Sequence, residues 1–272
     1  MTKALKGLLV SAILMAGAAN ADAIKNPMKD GETWDLLKED VVGEAALLDG
    51  TKLFTVDAPY RAHDAATVPL LIKQNMASGE TITRLAIVVD ENPAPVVAEF
   101  ELDPLIGRLD LETRVRVDQY SNIRVIAQTA DGKSYMNGRF VKASGGCSAP
   151  ALKDMESALA NAGKMRMKLF DAAATANASE RRQAQVMIRH PNYSGMQRNQ
   201  ITQLFIPAFF ISEMEVFQGD ERLFKMEGGI SISEDPVFRF SYTPNGANEF
   251  RVIAKDTDGN VFDQTFPIGS ES

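Results

Sequence analysis

The feature that most constrains the fold is an internal repeat of one strand-and-turn segment. Residues 123–127 read Ile-Arg-Val-Ile-Ala and residues 250–254 read Phe-Arg-Val-Ile-Ala, and each is followed by Asp-Gly, at 131–132 and 258–259. Asp-Gly after an alternating apolar run is a strong β-hairpin signal. Two copies are too few for a solenoid or a propeller. The repeat therefore predicts two related β-domains placed side by side in one chain.

The first half of the chain supports this interpretation with several short, β-rich runs. They begin at Val68, Leu85, Val96, Leu109 and Ile123. Turn signals separate them and no helical pattern intervenes, which is typical of an antiparallel sandwich. Within residues 113–117 (Thr-Arg-Val-Arg-Val), we expect polar side chains on one face and valines on the other.

Helical patterns are confined to two places. Residues 35–42 predict a short amphipathic helix in which Leu36, Leu37 and either Val41 or Val42 share a face.

The second helical pattern covers residues 149–162, which are rich in Ala, Leu and Met and stop at Gly163. We interpret this segment as a connector. A second β region starts near Lys164, is interrupted by a loop over residues 172–179 and resumes at Val186.

The N-terminus has the three parts of a secretory signal. Lys3 and Lys6 precede an apolar stretch over residues 8–19, and small residues up to Ala21 offer a cleavage site that makes Asp22 the first mature residue. Two lysines without an Arg-Arg pair indicate Sec export. The sequence thus predicts a periplasmic protein with residues 1–21 as signal peptide and no membrane span.

Composition excludes several classes of function. The 272 residues are 45% hydrophobic and carry a formal net charge of −7, which is typical of a folded protein and disfavours nucleic-acid binding. One cysteine and two histidines cannot supply an intramolecular disulfide, a multi-cysteine zinc site or an iron-sulfur cluster. We expect neither a metal nor a cofactor.

The single cysteine is the strongest candidate for chemistry. Cys147 follows Gly145 and Gly146, and such flanks predict an exposed loop that presents the thiol. A cysteine hydrolase would need His63 or His190 as its base, but no nucleophile-base signature surrounds either residue. The residues favour a Cys-bearing carrier or adaptor over an enzyme, with a generic two-domain binding protein as the plain alternative.

A resemblance to a known family makes the carrier interpretation more specific. The first half resembles the SoxY subunit of the sulfur-oxidation carrier SoxYZ through residues 67–69, 92–95, 113–117, 130–132 and 142–147. The second half resembles SoxZ through residues 190–195, 206–211, 231–236 and 256–259. The whole is similar to fused SoxYZ-like carriers associated with periplasmic quinoprotein (PQQ-dependent) dehydrogenases.

The resemblance implies two immunoglobulin-like sandwiches, SoxY-like over residues 22–147 and SoxZ-like over residues 164–272, joined by a connector over residues 148–163. It implies that Cys147 is the covalent attachment point for sulfur intermediates, with Gly145 and Gly146 as a flexible neck. Lys142 is the nearby cation in sequence. The implied partners are Sox-type redox enzymes or a quinoprotein dehydrogenase, together with a small sulfur-containing cargo.

One departure limits the analogy. In SoxY the Gly-Gly-Cys-Gly-Gly arm closes the chain, whereas here Ser148-Ala149-Pro150 follows the cysteine and the chain continues. A loop fixed at both ends reaches less far than a free tail. A non-covalent adaptor for a dehydrogenase, with Cys147 incidental, therefore stays open as the second hypothesis. Fusion predicts that the two halves pack against each other within one chain.

Overall fold

The structure is a computed structural model that describes residues 26–150, 155–170 and 181–268. The predicted signal peptide with its cleavage after Ala21 lies outside the described residues, as does the predicted loop over residues 172–179. The described part of the chain is built mainly of strands, as the short alternating runs predict.

Two α-helices and one 3₁₀ turn accompany the strands of the described segments. Helix α1 spans Glu32–Val42 and helix α2 spans Met155–Ala160, inside the predicted connector. Pro104–Ile106 forms the 3₁₀ turn. Gly163, the predicted helix stop, has φ 81°, in the left-handed region that favours glycine.

The strands are numbered in chain order. They are β1 (Leu47–Asp49), β2 (Phe54–Asp57), β3 (Val68–Gln74), β4 (Ile82–Val89), β5 (Val96–Leu102), β6 (Asp110–Val115), β7 (Ser121–Thr129), β8 (Ser134–Val141), β9 (Met165–Phe170), β10 (Arg182–Ile188), β11 (Ile211–Gln218), β12 (Glu221–Gly228), β13 (Val237–Tyr242), β14 (Glu249–Asp256) and β15 (Val261–Pro267).

The strands form two sheets, and each sheet runs through both halves of the chain. The nine-stranded sheet has the order β1-β8-β7-β4-β5-β12-β11-β14-β15, and the six-stranded sheet has the order β2-β3-β6-β13-β10-β9. The pairings are antiparallel except that of β1 with β8. The fold is thus all-β, with two immunoglobulin-like sandwich domains joined edge to edge.

The junction between the halves is both hydrogen-bonded and packed. Strand β5 pairs with β12, and β6 pairs with β13. The ring of Phe100 in the first half lies 6.0 Å from that of Phe224 and 6.1 Å from that of Phe238 in the second half. These rings belong to one apolar core that draws on both halves. The expected packing of the halves within one chain is therefore confirmed.

Both Asp-Gly turns close hairpins, as the repeat predicts. One joins β7 to β8 and the other joins β14 to β15. Gly132 has φ 84° and Gly259 has φ 82°, values that only glycine adopts without strain.

Helix α1 packs on the outer face of the nine-stranded sheet. Trp34 is buried there against Val88 and Ile126, with Leu37 alongside. Leu36 was predicted to share this apolar face, but it is 79% exposed. The prediction for Leu36 is wrong. Trp34 and Leu37, which are three residues apart, form the helix face that packs on the sheet, and Leu36 lies on the opposite, exposed face.

Two findings bear on the expected partners and cofactors. Across the described ranges, no helix is both long enough and apolar enough to cross a membrane. Within the same ranges, no three His, Cys, Asp or Glu side chains lie close enough together to hold a metal ion.

Candidate functional site

Cys147 lies in a turn after β8, at the seam between the two halves. Its relative exposure is 0% although its neighbour Ser148 is exposed. The prediction that the thiol is exposed is therefore wrong for this structure. Gly145 and Gly146 have no side chains that could bury the thiol. Residues of the second half of the chain bury it instead.

Backbone hydrogen bonds to one extended segment hold the cysteine loop from the first half. The N–H of Gly145 donates to the carbonyl of Asp118 at 2.8 Å, and that of Gly146 donates to the carbonyl of Val117 at 3.1 Å. The N–H of Cys147 donates to the Asp118 carboxylate at 3.3 Å. The loop is therefore fixed residue by residue along positions 117 and 118.

The two glycines have a packing role here beside the flexible neck expected of them. Gly145 has φ 78°, a left-handed conformation. A Cβ on Gly146 would lie 2.1 Å from the carbonyl oxygen of Ala65 and 2.7 Å from that of Val117. A side chain at position 146 cannot be accommodated without moving backbone, so glycine is required for the close approach that buries the cysteine.

The second half of the chain covers the loop with two polar side chains. The hydroxyl of Ser194 donates to the carbonyl of Cys147, and the amide of Gln197 donates to the carbonyl of Ala149 at 3.1 Å. Gln197 in turn accepts the N–H of Ser194 at 3.0 Å. Sequence reasoning assigned no role to either residue. The only sequence signal was the His-Pro-Asn-Tyr-Ser-Gly string at residues 190–195, which contains Ser194 and ends two residues before Gln197.

Arg116 is the second buried functional group at this seam. Its guanidinium donates to the carbonyl of Gly146 at 3.0 Å and to that of Asn192 at 3.2 Å. The alternation predicted for residues 113–117 holds for Arg114, which is exposed, but fails for Arg116, which is 1% exposed. The reason is that the second half covers the chain where β6 ends.

Asn92 ties the segment beneath the cysteine loop to both halves. Its side-chain amide donates to the carbonyl of Arg116 at 2.8 Å and to the hydroxyl of Ser231 at 3.0 Å. Its carbonyl oxygen accepts the N–H of Asp118 at 2.8 Å. Buried amides with several partners specify one backbone arrangement. This residue therefore fixes the positions of Arg116 and Asp118 relative to each other.

Burial controls the acidity of the thiol. Loss of solvent, together with the nearby Asp118 charge, raises the pKa of Cys147 to about 12, and the Arg116 charge acts in the opposite direction. Lys142, the cation expected from sequence, instead has its Nζ 4.9 Å from the Tyr60 ring. Because thiolate is the reactive form, the thiol is inert at neutral pH in this arrangement.

Neither histidine is arranged as a base for this thiol. His190 is buried, its Nδ1 accepts the N–H of Asn192 at 3.1 Å, and its Nε2 lies 3.6 Å from the Asp256 carboxylate. Burial lowers the pKa of His190. His63 is exposed. In the described residues no hydrogen bond joins either ring to Cys147, so the arrangement lacks the nucleophile-base contact of a hydrolase.

Fold and site together define a class: a two-domain β-sandwich protein whose lone cysteine sits in a glycine-bearing loop at the domain seam. Residues 38–147 match the family described as Sulfur oxidation protein SoxY, and residues 168–267 match the family described as Sulphur oxidation protein SoxZ. The chain is a fused SoxYZ-like protein, with a SoxY domain followed by a SoxZ domain. These domains indicate a role as a sulfur-oxidation carrier.

Solved structures resemble parts of the chain. The chain is similar to the sulfur carrier protein SoxY from Chlorobium limicola f thiosulfatophilum, with 25% identity and a TM-score of 0.35 over 42% of this chain and 97% of that one. It is also similar to a superoxide reductase (neelaredoxin) from Ignicoccus hospitalis, with 10% identity and a TM-score of 0.29 over 42% of this chain and 98% of that one. The curated proteins contain no match.

Proposed function

We propose that the protein is a periplasmic carrier that holds a sulfur intermediate covalently on Cys147 and presents it to partner enzymes. The observation that carries the proposal is the place of this residue. Cys147 is the one cysteine of the chain, and the SoxY match ends on it. It also lies in a turn whose carbonyls accept hydrogen bonds from Arg116, Ser194 and Gln197, contacts that can break when the turn moves.

The chemistry requires the cysteine loop to leave the seam. A buried thiol with a pKa of about 12 is almost wholly protonated at neutral pH, whereas attack on a sulfur donor needs the thiolate. Opening separates Cys147 from Ser194, Ala149 from Gln197 and Gly146 from Arg116. Hydration of the freed thiol removes the main cause of its raised pKa. Loading and delivery then take place in the open state, within the reach of a loop fixed at both ends.

The compartment and the partners belong to the same proposal. The N-terminal segment supports Sec export with cleavage after Ala21. Periplasmic redox enzymes, either Sox-type or a quinoprotein dehydrogenase, are the proposed donors and acceptors. The protein supplies attachment and docking, while the partner enzymes supply catalysis.

The first experiment is intact-mass analysis of the native protein isolated from periplasm, with and without reductant. We expect a mass above that of the mature chain starting at Asp22, with the added mass on Cys147 and removable by reductant. The size of the addition identifies the cargo. Protein that stays unmodified during growth on reduced sulfur compounds and on the dehydrogenase substrate contradicts the proposal.

One observation favours a second function, that of a non-covalent adaptor. The thiol is fully buried, and burial raises its pKa to about 12, which is typical of an inert structural cysteine. Cys147→Ser separates the two functions in cells, because serine keeps the shape of the loop but cannot form the adduct. Substrate-dependent respiration lost with Cys147→Ser favours the carrier, and respiration retained favours the adaptor. Ser148→Ala, an exposed change in the same turn, is the matched control.

A further inference from the structure

We propose that Arg116 is the binding residue for the cargo, and that it selects an adduct on Cys147 that ends in a negatively charged group. The inference rests on the proposed function, since it requires a covalent adduct. It assigns to the site a ligand chemistry: a small anionic terminal group, such as an oxyanion of sulfur, beside a buried guanidinium.

The first observation is that Arg116 is a buried cation without an anion. Two arginines are buried in the described structure, Arg116 at 1% exposure and Arg124 at 5%. Arg124 has the carboxylate of Asp90 at 2.8 Å. Arg116 has two neutral carbonyls as acceptors, and no carboxylate of the described residues lies within ion-pair distance of it. A buried charge is costly unless an opposite charge pairs with it.

The second observation is an unused donor. The Nε of Arg116 is buried and has no hydrogen-bond partner among the described residues. The Nη1 atom of the same guanidinium bonds the carbonyl of Gly146, the residue directly before Cys147. The free donor and the unpaired charge therefore lie beside the proposed attachment point. A guanidinium has donors in a planar fork that suits oxyanions.

The charges around the thiol agree with this geometry. Burial lowers the pKa of Arg116, and a negative charge on Cys147 leads the influences that raise it, ahead of Glu234 and Asp64. Asp118, whose carboxylate accepts the N–H of Cys147, opposes any anion at that position. Arg116 is the group that lowers the pKa of Cys147, against the raising effects of Asp118 and of the loss of solvent. Asn92 holds the backbone carbonyl of Arg116 and Asn192 accepts from its guanidinium, so we expect Arg116 to keep its place when the loop opens.

Charged thiol reagents test the inference on the purified full chain. The Cys147 thiolate attacks the sulfenyl sulfur of a methanethiosulfonate, a disulfide bond forms, and methanesulfinate leaves with the electron pair while the thiol proton goes to solvent. The (2-sulfonatoethyl) and (2-trimethylammonioethyl) reagents place an anion or a cation on nearly the same tether. Both reactions need the same loop opening. The loop is fixed at both ends, so the opened thiol stays near Arg116, and the ratio of the two rates reports the charge of that residue.

We expect the rate ratio of anionic to cationic reagent to fall by about tenfold in Arg116→Gln, the scale set by one nearby charge in a partly desolvated site. Arg116→Lys keeps the charge and should keep the ratio within about threefold. Arg114→Gln removes an exposed charge two residues before Arg116 and is the matched control, with a change below about twofold because solvent screens it. An equal ratio in wild type and Arg116→Gln overturns the inference.

A wild-type measurement covers the case in which Arg116→Gln does not fold. Protein loaded with the anionic adduct should melt at a higher temperature than protein loaded with the cationic adduct, and equal melting temperatures overturn the inference. These outcomes are independent of the native mass analysis. If native Cys147 is unmodified but the purified protein still prefers the anionic reagent, the carrier proposal alone is contradicted. A native adduct without any charge preference contradicts the role of Arg116 alone.

Discussion

The two copies of the Arg-Val-Ile-Ala string occupy equivalent strands but meet different surroundings. In β7 the string places Arg124 under the Trp34 ring at 4.4 Å and against the buried carboxylate of Asp90. In β14 it places Arg251 on an exposed face, where it pairs with Asp263. The same sequence thus gives a buried ion pair in the first half and a solvated one in the second.

The difference comes from helix α1, which precedes the strands of the first half and covers the outer face of β4 and β7. The inner face does not differ, because Val125 and Val252 both lie in the common core. A repeated string therefore specifies the hairpin and the inward side chains. The burial and the pairing of its outward side chains depend on elements outside the repeat.

The strongest way to test this contrast is to remove each arginine. Arg124→Ala leaves Asp90 buried without a cation, and we expect a loss of about 3–5 kcal/mol in unfolding free energy. Arg251→Ala breaks an exposed pair and should cost less than about 1 kcal/mol. Denaturant unfolding measures both variants. Equal losses of unfolding free energy contradict the claim that burial under α1 makes Arg124 more important for stability than Arg251.

A second test acts on the helix itself. Trp34→Ala removes the ring that covers Arg124 and Ile126, and we expect a loss of roughly 3 kcal/mol, as for other large-to-small changes at buried aromatic residues. Leu36→Ala, on the exposed side of the same helix, should change stability by less than about 0.5 kcal/mol. If Leu36→Ala lowers the unfolding free energy as much as Trp34→Ala does, a different face of the helix packs on the sheet.

The strands could be predicted from the sequence because their information is local. Along β6, Leu111 and Val115 are buried while Glu112 and Arg114 are exposed, a period of two that the alternation of apolar and charged residues predicts. The hairpins were likewise predictable, since the Asp-Gly turn chemistry stands in the sequence itself.

The joining of the two halves into continuous sheets could not be predicted in the same way. Strand β12 pairs with β5 so that Lys225 lies opposite Glu101 and Glu227 lies opposite Glu99. Charged outward residues such as these occur on solvated strands of many kinds, so they do not reveal which edge a strand will meet.

The burial of Cys147 and Arg116 was missed for a related reason. Glycine flanks predict exposure because they cover little by themselves, and an arginine in an alternating strand is expected to face solvent. The groups that bury them are Asn192, Ser194 and Gln197 of the second half. Sequence identified the residue that carries the proposed function, and the tertiary contacts set its acidity.

The pH dependence of stability should also separate the halves. Asp256 ends β14 and lies near His190, whereas the equivalent position at the end of β7 is Thr129. Burial lowers the pKa of His190, despite the opposing influence of Asn192 and Asp256. The unfolded chain therefore binds the proton first as pH falls. Stability is fully present above about pH 6.5 and is lost as the pH falls through the folded-state pKa.

Denaturant unfolding of wild type between pH 7.5 and pH 5.5 measures this loss, whose slope for one proton is at most about 1.4 kcal/mol per pH unit. His190→Gln cannot take up the proton and should show a shallower slope below pH 6.5. A slope that is unchanged in His190→Gln assigns the pH dependence to other groups and contradicts the account given for His190.

The smallest expected effect tests what the halves share. Gly132 and Gly259 have nearly the same φ, 84° and 82°, and open space where a Cβ would stand. Replacing either residue by alanine costs only the strain of a left-handed backbone, about 1 kcal/mol. Chemical denaturation should give equal losses for Gly132→Ala and Gly259→Ala, within about 0.5 kcal/mol, since independent sites with the same strain have the same cost. A clear inequality would mean that the surroundings distinguish the turns as well as the arginines, and that the repeat specifies less of the hairpin than its sequence indicates.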